Sequence, residues 1–145
     1  MTTLFTIGFT KKTAEDFFTL IKHNHIKCVI DIRLNNASQL AGFSKKTDLE
    51  YFLKEIYDCG YRHLPILAPT KNILDSYKKK KISWGNYTLQ YNALLKSRGI
   101  ENLISLDDLN ESCFLCSEST ADHCHRRLAA EYLKNKHEQI KIVHI

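Results

Sequence analysis

Short apolar, β-branched runs alternate with amphipathic helical segments along this chain, and that alternation limits the folds open to it more than any other feature. Residues 4–7, Leu-Phe-Thr-Ile, form the first apolar run, ended by Gly8. Thr13-Ala14-Glu15-Asp16 has the form of a capping box, a hydroxyl at the N-cap and an acid three residues later. Phe17, Leu20 and Ile21 follow at helical spacing and predict a helix over residues 14–25. Cys28-Val29-Ile30-Asp31-Ile32 then suits a buried strand. Strand, helix and strand in this order predict a right-handed βαβ unit.

The pattern continues. Thr47-Asp48-Leu49-Glu50 repeats the capping-box form, and Leu49, Phe52, Leu53 and Ile56 make one apolar stripe. Gly60 stands where a helix-ending glycine accepts a positive φ. A third strand is expected over 61–64, stopped by Pro65. A helix over 70–81 fades into Lys78–Lys81, and a longer one over 83–98 carries Trp84, Tyr87, Tyr91, Leu94 and Leu95, with Gly99 as its stop. Residues 101–110 suit a short helix. Strands over 113–116 and 140–145 flank a helix over 121–136. Five strands alternating with helices predict one α/β domain over residues 1–145. Its sheet is mainly parallel, with helices on both faces, in a Rossmann-like arrangement. The stretch 65–112 must be mostly helical, a lid or excursion over one end of the sheet.

Composition removes several function classes. The 145 residues suit one domain, and a hydrophobic fraction of 43% is ordinary for a globular one. No apolar run reaches the roughly 20 residues that span a bilayer, so no membrane partner is expected. Met1-Thr2-Thr3-Leu4 lacks the basic start and apolar stretch of a secretory signal, which makes the cytoplasm the expected compartment. Five cysteines, an odd number, argue against a disulfide framework there. The net charge of +5 permits phosphate-bearing partners without demanding them.

Ligands of open parallel sheets bind beyond the carboxyl ends of the strands. That rule selects Gly8 and Thr10 after the first strand, and Asp31, Arg33 and Ser38 at and after the second. After the fourth it selects Cys116, Glu118, Cys124, His125 and Arg126. The segment from Cys116 to Arg127 packs two thiols, two imidazoles, two guanidinium groups and two carboxylates into twelve residues. Ser119 or Thr120 is the expected N-cap of the following helix, whose free N–H groups, with Arg126 and Arg127, favour an anion and lower a nearby thiol pKa. The plainer alternative is a core-facing Cys124 and an Arg127 paired with Asp122 or Glu131. Asp31 and Arg33 point to one side of their strand, either as a mutual salt bridge or as a hydroxyl acceptor and an anion clamp.

Other chemistries fit poorly. Gly8 stands alone where a dinucleotide fingerprint needs three glycines, and no Walker motif occurs, so no cofactor is expected. A cysteine phosphatase loop needs an arginine six residues after its cysteine, but Asp122 and Ala130 occupy those positions. A rhodanese-like sulfur carrier using Cys116 stays open. Zinc on Cys116, Cys124 and a histidine lacks the CxxC spacing of common knuckles, so no metal is assigned, and a Cys116–Cys124 redox pair is equally unsupported. Lys78–Lys81 reads as a solvated helix end. The sharper alternative is a nucleic-acid surface joined by Lys11, Lys12, Lys45, Lys46 and a stacking Trp84.

Thr6-Ile7-Gly8, Asp31-Ile32-Arg33, Gly42-Phe43, Leu115-Cys116-Ser117-Glu118, Cys124-His125-Arg126 and Val143-His144-Ile145 together carry a resemblance. The chain resembles the bacterial and archaeal proteins grouped as domain-of-unknown-function family 488. The resemblance implies a compact α/β fold and a shared site built from those motifs, and no assigned activity. Phe9-Thr10 and Asn36-Ala37-Ser38-Gln39 depart from the His-Ser and the proline and arginine of many relatives, so no role of those residues carries over.

The expected function is an enzyme-like site for a phosphate-bearing or otherwise anionic ligand, a nucleotide or nucleic acid. Arg33 and Arg126 would hold the anion, and Glu118 or Asp31 would serve as general base or bind a hydroxyl. Cys116 would be a nucleophile or positioning group, and His125 an acid–base partner. The alternatives are a non-catalytic nucleic-acid-binding or adaptor module, and a metal-dependent or thiol-based enzyme.

Overall fold

The structure is a computed structural model, and it describes residues 1–36 and 42–145. Its five strands are β1 (Thr2–Gly8), β2 (Cys28–Asp31), β3 (Gly60–His63), β4 (Ser112–Cys116) and β5 (Ile140–His144). They form one sheet in the order β3-β2-β4-β1-β5, and every pairing is parallel. The helices are α1 (Ala14–His23), α2 (Lys46–Tyr57), α3 (Lys71–Lys78), α4 (Trp84–Arg98), α5 (Leu106–Leu109) and α6 (His125–Lys136). The expected α/β, Rossmann-like fold is what the chain adopts. Among the described residues no helix is long and apolar enough to cross a membrane.

Strand periodicity sorts the core into two halves. Val29, Cys113 and Leu115 pack with Phe17, Ile21, Leu49 and Leu53 of α1 and α2 on one face. Leu4, Ile30 and Phe114 pack with Tyr87, Tyr91, Leu95, Leu128 and Leu133 of α4 and α6 on the other. β4 lies centrally, every residue buried, between β1 and β2. Gly8 therefore pairs with Cys116, and Asp31 with Leu115, so the carboxyl ends of β1, β2 and β4 share one rim. The stretch between β3 and β4 is mostly helical, as expected, and α3 and α4 stack Tyr77, Trp84, Tyr87 and Tyr91 in series.

Local punctuation differs from the sequence expectation in four places. α1 stops at His23, with Asn24 as its cap and His25 at φ 52°. Thr47 lies inside α2, whose N-cap is Lys45 without a side-chain bond. Asp58, not Gly60, takes the left-handed turn at φ 50°. Gly60 must pair with Cys28 at the start of β3, so the helix ends two residues earlier, where an aspartate tolerates that conformation. The fourth difference concerns α6 and is the most consequential. It starts at His125 with Cys124 as N-cap, so neither Ser119 nor Thr120 caps it. Ser117–His123 instead form an irregular loop that folds Cys124 back beside Cys116.

Helix α4 is tied to the chain beneath it by the Tyr91 hydroxyl, which donates to the Leu67 carbonyl at 2.5 Å in a fully buried position. Tyr91→Phe leaves that carbonyl unpaired and should lower unfolding free energy by about 1–2 kcal/mol. Urea unfolding with an unchanged m-value checks this.

Candidate active site

A cavity of about 300 Å³ opens at the shared rim. Six of the ten residues selected from the sequence line it: Thr10, Arg33, Cys116, Glu118, Cys124 and His125. Gly8, Asp31 and Arg126 are brought close but do not line it, and Ser38 lies outside the described residues. The strand-end rule also reaches Asn35 and His123, which line the cavity. Sequence reasoning missed Leu34, Leu74, Tyr77 and Lys78 as lining residues and read Tyr87 as packing. A lid over one end of the sheet is expected of residues 65–112, but nothing local says which residues of α3 it would bring to the rim.

Cys116 Sγ lies 3.4 Å from His125 Nδ1. His125 Nε2 lies 2.8 Å from the Ile32 carbonyl, which only accepts, so Nε2 carries a hydrogen. In the tautomer with its one hydrogen on Nε2, the ring presents an unprotonated Nδ1 to the thiol. Burial by itself pushes the Cys116 thiol up. The Cys124 S–H, the backbone N–H groups of Ser117 and Glu118 and the charge of Arg126 outweigh it, and the net shift is downward. Cys124 moves the opposite way, raised by its bond to the Cys116 sulfur and then by burial. The two thiols differ: Cys116 is the more easily ionised, and Cys124 is its hydrogen-bond donor.

The two arginines also divide. Arg126 is buried beneath the loop and donates from Nη1 to the Glu118 carbonyl at 2.5 Å and from Nε to Thr6 Oγ1 at 3.3 Å. Among the described residues none of the ion pairs includes it. Its expected role as an anion clamp in the pocket gives way to that of an internal counter-charge. Arg33 forks onto Asp31, with Nε to Oδ1 at 2.9 Å and Nη2 to Oδ2 at 2.8 Å, and Nη2 also reaches the Ser44 carbonyl. Asp31 further accepts from its own turn at Arg33 N and from the Tyr61 hydroxyl at 2.5 Å. Its lone pairs are committed, so it orients Arg33 and is not free as a general base. Arg33 Nη1, on a side chain only 2% exposed, has no hydrogen-bond partner among the described residues. Arg127, by contrast, pairs with Glu131 on the helix surface, as the plainer reading expected.

A family model described as "Domain of unknown function DUF488" matches residues 13–133. The chain belongs to that family. No curated protein and no solved structure matches the chain. The DUF488 match contains the Asp31–Arg33 turn and the whole Cys116–Arg126 loop, while Gly8 and Thr10 precede it.

Gly8 is where β1 meets this loop. A Cβ there would sit 1.6 Å from the Glu118 carbonyl oxygen and 2.7 Å from Arg126 Nη1. The nearer atom is backbone, so relief requires the loop to move. Gly8→Ala should lower the melting temperature and return the Cys116 pKa toward that of an ordinary thiol, as read by the pH profile of alkylation. In the unaltered protein, the alkylation of Cys116 by iodoacetamide should have its pH midpoint below the roughly 8.5 of a free thiol. Cys28, raised by burial, should lag behind it in the same peptide-mass time course.

Proposed function

We propose that this protein is a thiol-dependent enzyme acting on an anionic substrate, with a phosphate-bearing nucleotide the ligand class that uses the cavity most fully. One observation carries the reading: Arg33, whose buried Nη1 has no hydrogen-bond partner among the described residues, and Cys116 line the same cavity. A buried guanidinium nitrogen without a partner costs free energy, and an incoming oxyanion supplies the missing acceptor. Lys78 adds a second cation on the α3 side, and Tyr77 and Tyr87 give an aromatic wall for a planar group.

The chemistry follows from the hydrogen bonds. Cys116 gives its proton to His125 Nδ1, while Nε2–H stays on the Ile32 carbonyl and holds the ring in place. The thiolate attacks an electrophilic centre of the substrate, forming a bond to sulfur. The leaving group departs with the bond's electron pair and takes the proton from Nδ1–H. The N–H groups of Ser117 and Glu118 stabilise negative charge at this end of the cavity. Glu118, exposed at the cavity edge, is placed to accept a hydrogen bond from a substrate hydroxyl or to activate water for release of the adduct. Free reactive thiols suit a reducing cytoplasm.

Anionic and neutral alkylating agents test the reading. Cys116 should prefer iodoacetate over iodoacetamide when compared with a small free thiol, because Arg33 attracts the carboxylate. Inorganic phosphate should slow that reaction, and Lys78→Ala and Arg33→Lys should reduce the preference several-fold. The phosphate competition needs no variant, so a poorly folding Arg33→Lys does not blunt the test. Equal rates for the two reagents, with no effect of phosphate, would remove the anion site.

A further inference from the structure

Cys124 is the part of the site that a single nucleophile does not explain. A cysteine–histidine pair needs one sulfur, yet a second lies beside it, buried and lining the same cavity. Cys116 Sγ, Cys124 Sγ and a ring nitrogen of His125 all lie within 4.8 Å of one another.

We propose that Cys116, Cys124 and His125 form a three-ligand site for a thiophilic d¹⁰ cation such as Zn²⁺, with its fourth position open to the cavity. Metal–sulfur and metal–nitrogen bonds of about 2.3 and 2.05 Å in tetrahedral geometry put sulfur and nitrogen about 3.6 Å apart. The Cys116 Sγ–His125 Nδ1 separation of 3.4 Å is already close to that. Ligand chemistry agrees with distance. Two thiolates and an imidazole are soft and borderline donors that select zinc-like ions over magnesium or calcium. The hydrogen bond from His125 Nε2 to the Ile32 carbonyl at 2.8 Å is the outer-shell contact that fixes a metal-binding tautomer, leaving Nδ1 as the donor.

Charge agrees as well. A dication with two thiolates and a neutral imidazole is neutral overall, so a buried pocket accepts it without an unpaired ion. Binding releases protons from both sulfurs, the Cys124 proton being the harder to remove. The spacing of Cys116 and Cys124 hid the site from motif reasoning, because seven residues intervene where common knuckles have two. The irregular loop 117–123 brings them together instead.

This site shares Cys116 with the enzyme reading without depending on it. A bound cation ties up the nucleophile's lone pair, so metal occupancy and alkylation exclude each other. That makes thiophilic ions inhibitors of the thiol chemistry.

Titration of the reduced full-length protein with Cd²⁺, in a phosphine reductant, gives the direct test. Thiolate-to-cadmium absorption in the ultraviolet should saturate at one ion per chain. Cys124→Ser and His125→Gln should each weaken binding by at least about tenfold, while Cys28→Ser leaves it unchanged. In wild type, saturating Zn²⁺ should shield Cys116 and Cys124 from iodoacetamide while Cys28 stays reactive, a readout that needs no variant. Absorption that survives Cys124→Ser undiminished, or zinc that leaves Cys116 fully reactive, would overturn the proposal. Slow alkylation of Cys116 in the metal-free protein would instead count against the enzyme reading, and the cadmium band would still report on the metal site.

Discussion

The contact between Arg126 and the Glu118 carbonyl holds the candidate site together. An arginine with 1% exposure is expensive to bury, and here its cost is met by backbone and hydroxyl acceptors rather than a carboxylate. The loop carbonyl is drawn over the end of β1, where only a glycine leaves room for it. That places the N–H groups of Ser117 and Glu118 around the Cys116 sulfur. The positive charge left uncompensated by any described acid then favours the thiolate a short distance away. One side chain shapes the loop and sets the ionisation of the cysteine at its base.

The second arginine illustrates the opposite arrangement. Asp31 neutralises Arg33 and fixes its plane through two parallel bonds, and Tyr61 and the turn at Arg33 fix Asp31 in turn. Phe9 covers the guanidinium at 5.3 Å from its centre. A rotamer held on so many sides loses little entropy when a ligand arrives, so the remaining nitrogen is preorganised for an acceptor. The long, exposed Lys78 has none of these restraints and suits long-range attraction better than orientation. Precision at one cation and attraction at the other is a reasonable division for the proposed entry of an anion past α3.

Much of the fold was legible because period and length are local properties. The β-branched run 28–32 and the four-residue run 113–116 have few alternatives to buried parallel strands, and the stripes of α1 and α4 are explicit. The site was legible to the extent that the strand-end rule applies, since β2 and β4 are neighbours and their carboxyl ends coincide. What stayed hidden depends on distant chain. Gly60 looks like a helix stop until its pairing with Cys28 is known. Ser119 and Thr120 look like caps until the pull of Arg126 on Glu118 keeps the loop out of helical geometry. The spacing of Asp31 and Arg33 allows either a mutual pair or free groups, and the structure has the pair.

The late start of α6 has a further consequence for chemistry. Cys124 is the N-cap of α6, next in the chain to the free N–H groups and partial positive charge of the first turn, yet its side chain makes no capping bond. That field would ordinarily lower its pKa. The shift is upward because Cys124 donates to the Cys116 sulfur and is buried, and two adjacent thiolates in a buried space repel unless something lies between them. Once Cys116 is ionised, two sulfurs, one proton and one imidazole share a single excess charge. An added electrophile discharges that state at Cys116 alone, whereas a cation discharges it at both sulfurs at once. The choice between these outcomes rests on which species reaches the cavity first, because the protein atoms needed for either are already in place.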